Sequence, residues 1–228
     1  MSITFGYSSE VYFIEPQDII ELQDTSLEKI SGIKTNHDIV ILIGNTNQGE
    51  QDSLVCGREI IKHAINNDIS HVPVKFAFIS QISRWNILPY LLKKLRNKYK
   101  FESKKVYHTT LNHLRNLHIE RGFRNAENAY VISERRWYMT PEVRANRYKE
   151  LQSSIQKNGF NDKFPISIML CRRFGIKDSV DDGHHRIGVC VENNIERIAI
   201  HFRAAGALPR IVQKIGNKII KILPKHHV

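Results

Sequence analysis

The sequence is poor in cysteine, in acidic residues relative to basic ones, and in long apolar runs. Its three cysteines, Cys56, Cys171 and Cys190, are widely spaced, a pattern that fits neither a disulfide framework nor a paired zinc-ligand motif. No apolar run approaches the length needed to span a bilayer, and the first residues lack a basic segment followed by an apolar core. These absences predict a cytoplasmic location and thiols that are buried or idle.

The shortage of acidic residues makes the chain strongly basic. Among 228 residues there are 34 Lys and Arg against 23 Asp and Glu, which gives a formal net charge of +11 at pH 7. Such a surface attracts nucleic acid, an anionic membrane or phosphorylated small molecules. Charge alone does not choose among these partners, and a solvated surface without any of them is an equal alternative.

The first half alternates between predicted strands and helices, without an evident internal repeat or low-complexity stretch. Strands are expected at Val11–Ile14, Asp38–Gly44 and Val72–Ile79, because these runs are rich in β-branched and apolar residues. A helix is expected over Gln51–Ala64. Neither G-x-G-x-x-G nor G-x-x-x-x-G-K-[ST] occurs near Gly44, so this segment is interpreted as a buried strand with a polar loop.

The second half carries clearer boundary signals. Thr140 is a capping residue followed by Pro141, which favours a helix start there, and Gly159 suits the end of that helix. The later elements follow closely upon one another. They are a strand at Pro165–Leu170, a strand end at Val180–Asp182, a turn at Gly183, a helix over His184–Asn194 and a strand at Arg197–Phe202.

The segment Asp182-Gly183-His184-His185-Arg186 has the composition of an anion site. A strand ends, one glycine permits a sharp turn, and a helix begins at once, so backbone N–H groups and the positive end of the helix dipole face the same place. Arg186 can bind phosphate oxygens in a fork, and His184 and His185 can donate further hydrogen bonds. The alternative is that these side chains only decorate a helix start.

A wider pattern surrounds this turn. Residues 147–159 form a helix of the type R…L…SI…G, Pro165-Ile166 opens a strand, and residues 182–189 read DGHHRIGV. In this order they resemble the ParB/sulfiredoxin superfamily. The resemblance covers a quarter to a third of the chain and implies an α+β fold, a ParB/sulfiredoxin-like mixed sheet with helices.

The turn is most similar to that of ParB-like free-serine kinases. Sulfiredoxins have Cys where this chain has His184, and chromosome-partitioning ParB proteins carry G-E-R-R, so neither activity is expected. The resemblance implies that Gly183, His184, His185 and Arg186 bind the phosphates of ATP or ADP. It also implies a catalytic role for Asp182, with His184 beside it, or a role for Asp182 as a Mg²⁺ ligand.

The resemblance further implies a carboxylate near the acceptor hydroxyl. Glu142 is the nearest match, with Glu134 as the second choice. The alternative for Glu142 is a favourable interaction with the positive end of its own helix.

The rest of the chain leaves two domain descriptions open. Val11–Ile19 resembles the opening strand of ParB-like modules, which would make the following residues up to Tyr138 a large insertion; otherwise the first half is a separate small domain. We therefore divide the chain into an N-terminal α/β region at 1–137, a phosphate-binding core at 138–205 and a basic amphipathic tail at 206–228. The tail could lie on an anionic membrane, bind a polyanion or dock on the core.

Three functions follow as hypotheses. The first is a nucleotide-dependent kinase or phosphotransferase that acts on a small hydroxyl compound, serine-like or other. The second is a ParB-like DNA-binding or nuclease-like protein, which the basic charge favours. The third is a nucleotide-binding module without catalysis.

Overall fold

The computed structural model shows a mixed α+β protein with two sheets and, in the residues described, four α-helices and one short 3-10 helix. The described residues are 2–25, 36–44, 49–82, 101–114, 117–119, 140–173 and 177–204. The elements of the first part are β1 Ser2–Tyr7, β2 Tyr12–Ile14, α1 Pro16–Ile20, β3 Gln23–Asp24, β4 Val40–Leu42, β5 Ser53–Cys56, α2 Arg58–Asn66 and β6 Val72–Ile82. Those of the second part are β7 Phe101–Glu102, β8 Tyr107–Thr110, the 3-10 helix Leu111–Leu114, β9 His118–Ile119, α3 Pro141–Asn158, β10 Ile166–Arg173, β11 Lys177–Asp182, α4 His184–Glu192 and β12 Arg197–Ala204.

The two sheets have the same strand order. The first runs β1-β6-β4-β5-β3, with β2 also paired to β6, and the second runs β7-β12-β10-β11-β9, with β8 also paired to β12. In the first sheet the central strand β4 pairs antiparallel with β5 and parallel with β6, and helix α2 connects β5 to β6. In the second sheet the central strand β10 pairs antiparallel with β11 and parallel with β12, and helix α4 connects β11 to β12. One supersecondary unit is therefore present twice.

The duplication is also present in the sequence. Residues 51–78 align without a gap with residues 177–204, at a constant offset of 126 positions, although few of the aligned residues are identical. The expectation of a chain without an internal repeat is therefore wrong. We call residues 2–82 the first copy and residues 101–204 the second copy. The identical pairs are Asp52/Asp178, Ser53/Ser179, Gly57/Gly183, Ile61/Ile187, Asn67/Asn193, Ile69/Ile195 and Phe76/Phe202.

The backbones of the two copies match where the conformation is least accessible to an L-residue. Gly57 and Gly183, each between a strand and a helix, have φ of 102° and 98°. Asp68 and Asn194, each just after that helix, both have φ of 52°, a value that Asn and Asp tolerate better than most residues. The turn and the helix end are thus the same local structure made twice.

A buried aspartate of the second copy holds the N-terminal segment of the first. Asp178 accepts four hydrogen bonds, and burial raises its pKa while these bonds oppose the rise. The donors are the backbone N–H groups of Cys171 at 2.9 Å, Ser9 at 2.9 Å and Glu10 at 3.2 Å, and the hydroxyl of Tyr12 at 2.8 Å.

The equivalent aspartate of the first copy holds the N-terminal segment of the second in the same way. Asp52 accepts from the N–H groups of Gly44 at 3.0 Å, Lys104 at 3.4 Å and Lys105 at 3.4 Å, and from the hydroxyl of Tyr107 at 2.8 Å. Each copy therefore supplies hydrogen-bond donors to the buried carboxylate of the other copy.

The two copies share one hydrophobic core. Phe76 and Phe202, which are equivalent residues, stack with ring centroids 3.8 Å apart and planes at 29°. Tyr12 meets Phe202 edge-on at 4.8 Å, and Tyr107 meets Phe76 edge-on at 5.2 Å. This exchange of equivalent contacts describes an approximate two-fold axis between the stacked rings, and aliphatic residues of both sheets surround it.

A polar cluster joins the copies at the edge of this core. Glu15 pairs with Arg197 through both carboxylate oxygens, at 2.8 and 3.1 Å. Asp18 Oδ2 lies 3.1 Å from His108 Nδ1, and Asp162 Oδ2 lies 3.0 Å from His108 Nε2. The hydrogen bond from Asp18 is the main cause that raises the pKa of His108, so the cluster binds a proton more tightly than a free imidazole does.

Several predicted elements are confirmed, and one is wrong in part. Helix α3 begins after Thr140, whose hydroxyl accepts from the N–H of Val143 at 3.3 Å, and ends at Gly159 with φ of 73°. The helix expected over Gln51–Ala64 is instead strand β5 followed by α2. Gly57 causes the change, because its positive φ ends the strand and starts the helix one residue later.

Two features of the sheets concern the predicted division of the chain. The strand in Val11–Ile19 pairs with β6 of the first sheet, and strand β8 holds the equivalent place in the sheet that carries Gly183. The second sheet takes β7, β8 and β9 from before residue 138, and the division predicted there stays a prediction. The predicted tail at 206–228 lies outside the described residues.

Candidate functional site

The predicted turn lies at the end of β11 and opens α4. Gly183 is the residue before the helix, with φ of 98° and ψ of 11°, and it is buried. A Cβ at this position would lie 3.1 Å from Ile166 Cγ1 and 3.2 Å from Ile166 Cα. Both the positive φ and the close approach of β10 therefore require glycine. Because glycine brings no capping side chain, the start of α4 is a place where an anion can meet backbone N–H groups.

Asp182 and Arg186 flank this turn and are bonded to each other. Arg186 Nη2 donates to Asp182 Oδ2 at 3.1 Å, one helical turn apart. The side chain of Asp182 is 75% exposed and that of Arg186 is 18% exposed, so a carboxylate stands in solvent beside a largely covered guanidinium. Arg186 Nη1 also donates to the carbonyl of Phe164, which fixes the guanidinium against the segment that leads into β10.

The remaining predicted residues are placed as follows. His184 and His185 are half-buried in the first turn of α4, beside Gly183. Glu142 is exposed in the first turn of α3, and no hydrogen bond or ion pair of Glu142 occurs in the described part of the chain. Its position thus agrees with the helix-dipole interpretation at least as well as with a catalytic one. Glu134 lies outside the described residues.

A pair that the sequence did not indicate lies next to the turn. Ser167 on β10 is the register partner of Asp182 on β11 and also of His201 on β12. The Ser167 hydroxyl is hydrogen-bonded to His201 Nε2. No motif signals this pair, because the two residues are far apart in sequence and meet only through the parallel pairing of β10 with β12.

His201 is electrostatically coupled to the turn. The pKa of His201 is lowered to about 4, mainly by burial; Arg203 and Arg186 contribute to the lowering, while Glu102 and Asp182 oppose it. The imidazole is therefore neutral at neutral pH, with one nitrogen as donor and the other as acceptor. Arg203 is held by Glu102 at 2.7 Å.

The first copy has the same turn without this chemistry. Where the second copy has Asp182 and Arg186, the aligned residues are Cys56 and Ile60. Arg58, at the first helical position, donates to Asp24 at 2.7 Å and to the carbonyl of Ile20 at 2.9 Å. This arginine therefore ties the helix start to the preceding segment. In the second copy the paired arginine and aspartate, Arg186 and Asp182, both come from the turn segment itself.

One further group of potential metal ligands occurs in the described residues. Ligand atoms of Glu15, Asp18 and His108 lie within 4.8 Å of one another. Each is already bonded within the protein, Glu15 to Arg197 and Asp18 to His108. We interpret the group as part of the contact between the copies.

Comparisons with known proteins identified no relative of this chain. No family model, curated protein or solved structure matches the chain. Within the described part of the chain, no helix combines the length and apolar character required to cross a membrane.

Proposed function

We propose that the protein is a nucleotide-dependent phosphotransferase of ParB-like type that acts on a hydroxyl acceptor. One observation carries the proposal: at Gly183, with φ of 98°, strand β11 turns directly into helix α4 between an exposed Asp182 and an adjacent Arg186. Such a turn offers backbone N–H groups, a helix dipole and a guanidinium to one phosphate.

The arrangement around the turn supports a ParB/sulfiredoxin-like fold for the second copy. Helix α3, strand β10 and the turn follow one another in the order of the resembling motifs. Helix α3 also packs against α4 through Tyr148 and Val189, which are both fully buried. The helix and the turn therefore form one structural unit, as the proposal requires.

The chemistry asked of these residues is positioning and charge neutralisation, which dominate phosphoryl transfer. The acceptor oxygen attacks the terminal phosphorus, the bond from phosphorus to the nucleotide oxygen breaks, and the acceptor proton passes to Asp182. Arg186 both holds Asp182 in place and neutralises phosphate charge, since a guanidinium carries several N–H donors. Gly183, His184 and His185 hold the phosphate at the start of α4.

The residues present fit a magnesium ion bound mainly by phosphate oxygens and water. Such ions commonly take only one or two protein carboxylates, and Asp182, an exposed carboxylate beside the N-terminus of α4, would be that ligand as the alternative to its role as base. When bound, the ion would neutralise charge on the nucleotide phosphates.

Phosphorus NMR tests the proposal. The protein is mixed with ATP or ADP, Mg²⁺ and a pool of hydroxyl compounds that includes free amino acids. We expect a new phosphomonoester signal that is lost in Asp182→Asn and Arg186→Lys and kept in Glu59→Ala, a surface change at the equivalent turn of the first copy. Nucleotide binding without any turnover would instead support a non-catalytic nucleotide-binding module.

The net charge of +11 favours one alternative, a DNA-binding or nuclease-like protein. Under that alternative, retention on DNA falls steeply with salt and survives Arg186→Lys, because the contacts are spread over many lysines and arginines. If retention on DNA is lost in Arg186→Lys, the result supports a phosphate site at the Gly183 turn.

A further inference from the structure

Three neighbouring strands bring a row of polar residues to the turn. The central residue of the row is Ser167 on β10. Its register partners are Asp182 on β11 to one side and His201 on β12 to the other. Neighbouring strands are spaced by about 4.8 Å, so this row extends roughly 10 Å from Asp182 to His201. A ligand held at the turn by one phosphate can therefore reach His201 only with a second group.

The first copy shows that the fold does not require these residue types. The same row there consists of Cys56, Val40 and Lys75. Lys75 Nζ donates to the carbonyls of Ser9 and Glu10, both at 3.1 Å, and so holds the N-terminal segment of its own copy. The same sheet therefore forms with an apolar residue and a lysine in this row, so the fold itself demands neither the hydroxyl nor the imidazole.

The geometry also fixes how the imidazole is presented. Ser167 is only 2% exposed, and its hydroxyl is bonded to His201 Nε2. This hydrogen bond sets the ring orientation of His201, which is more exposed than Ser167. Arg203, Glu102, Arg186 and Asp182 surround this ring electrostatically. An uncharged imidazole in such surroundings can donate to a phosphate oxygen or accept from a hydroxyl group.

We propose that His201 is a ligand-binding residue of the second copy and that Ser167 positions its ring. The site then spans the sheet from the start of α4 to β12, and takes a ligand with a second polar group about two strand spacings from the first phosphate. The hydroxyl-bearing sugar of a nucleotide has this chemistry and lies well beyond the first phosphate, whereas a directly linked second phosphate is too close to it to span the row. The inference rests on the proposed phosphate site at Gly183.

Calorimetric titration of the full chain with three probes tests the inference. The probes are inorganic phosphate, inorganic pyrophosphate and ADP, which differ in the groups beyond the first phosphate. We expect His201→Leu and Ser167→Val to weaken ADP about tenfold, the effect of one lost hydrogen bond, and to leave inorganic phosphate unchanged. An unchanged affinity for pyrophosphate assigns the second group as the sugar, and an equal loss for pyrophosphate would contradict a site that spans the sheet from the start of α4 to β12.

Conservative variants separate binding from folding. His201→Gln keeps a donor and an acceptor, and Ser167→Thr keeps the hydroxyl, so both should recover most of the affinity. If Ser167→Val does not fold, the comparison of His201→Leu with His201→Gln decides. A bound anion should also raise the pKa of His201, so ADP affinity should increase from pH 7 to pH 5 more steeply in the wild type than in His201→Leu.

The possible failures are distinguishable. Unchanged ADP affinity in His201→Leu, together with a loss in Arg186→Lys, overturns the role of His201 alone. No binding of any probe, or binding that is insensitive to Arg186→Lys, overturns the phosphate site and this inference with it.

Discussion

The substitution Asp178→Asn tests whether the two copies are held together as the structure indicates. All four groups that reach the carboxylate are donors, which suits an ionised carboxylate because it only accepts. If the amide oxygen keeps the bond to Cys171, the amide nitrogen faces the N–H groups of Ser9 and Glu10. The Tyr12 hydroxyl can rotate and accept, but the two backbone donors cannot.

The expected magnitude follows from these two lost partners. A buried donor without a partner costs about 1–3 kcal/mol, so Asp178→Asn should destabilise the protein by about 2–6 kcal/mol. For a chain of this size that corresponds to a melting temperature lowered by roughly 4–24 °C. Asp52→Asn should cost less, because two of its four hydrogen bonds are 3.4 Å long.

Thermal and urea unfolding, followed by circular dichroism, measure the effect. Asp68→Asn is the matched control, because Asp68 is exposed and the equivalent residue of the second copy is already Asn194 with the same φ of 52°. Melting of Asp178→Asn within 1–2 °C of this control, roughly the scatter of such a comparison, would show that the carboxylate does not hold the first copy in place.

Three further predictions concern other positions. Gly183→Ala should destabilise the fold by about 1–3 kcal/mol, measured by urea unfolding, because of its φ of 98° and the contact with Ile166; no change would mean that the turn relaxes freely. Asp18→Asn should lower the pKa of His108 in an NMR titration, and an unchanged titration would contradict the pairing. In the wild type the pair stabilises the fold below the unfolded pKa of about 6.5, and this stability is lost as pH rises through the raised pKa of folded His108. Asp18→Asn should remove that contribution to stability. Since His201 stays neutral down to about pH 4 in the folded state, stability should fall as pH drops from about 6.5 toward 4, and His201→Leu should flatten this dependence.

The parts of the fold that local chemistry determines were predictable from the sequence. Thr140 and Gly159 carry their own capping signals, and the helix between them is present as expected. Gly183, between a strand end and a helix, likewise marked its turn. These features depend on residues adjacent in sequence, whose conformational preferences act alone.

The duplication was harder to predict from the sequence. The two copies share backbone conformation and the burial of equivalent positions, but most aligned positions carry different residue types. The loops before the buried aspartates also differ, with Gly44 bonded to Asp52 and Cys171 bonded to Asp178 across spans of different length. One signal was nevertheless present: the pattern Asp-Ser-x-x-x-Gly-x-x-x-Ile occurs twice, at 52–61 and 178–187.

Contacts between distant strands could not be predicted from one sequence. Ser167 and His201 meet because β10 and β12 pair in parallel with a particular register. Neither residue lies in a local motif, so only the sheet brings the pair to Asp182. Sequence likewise could not show that Arg186, expected to bind phosphate, is also bonded to the carbonyl of Phe164, which precedes β10.

The most direct measurement is an amide NMR titration of the whole chain with ADP. An anion docked at the start of α4 should shift the backbone N–H signals of Gly183, His184 and His185, while those of Gly57 and Arg58, in the equivalent turn of the first copy, stay in place. Equal shifts at both turns, or none at Gly183, would contradict the assignment of the phosphate site to the second copy.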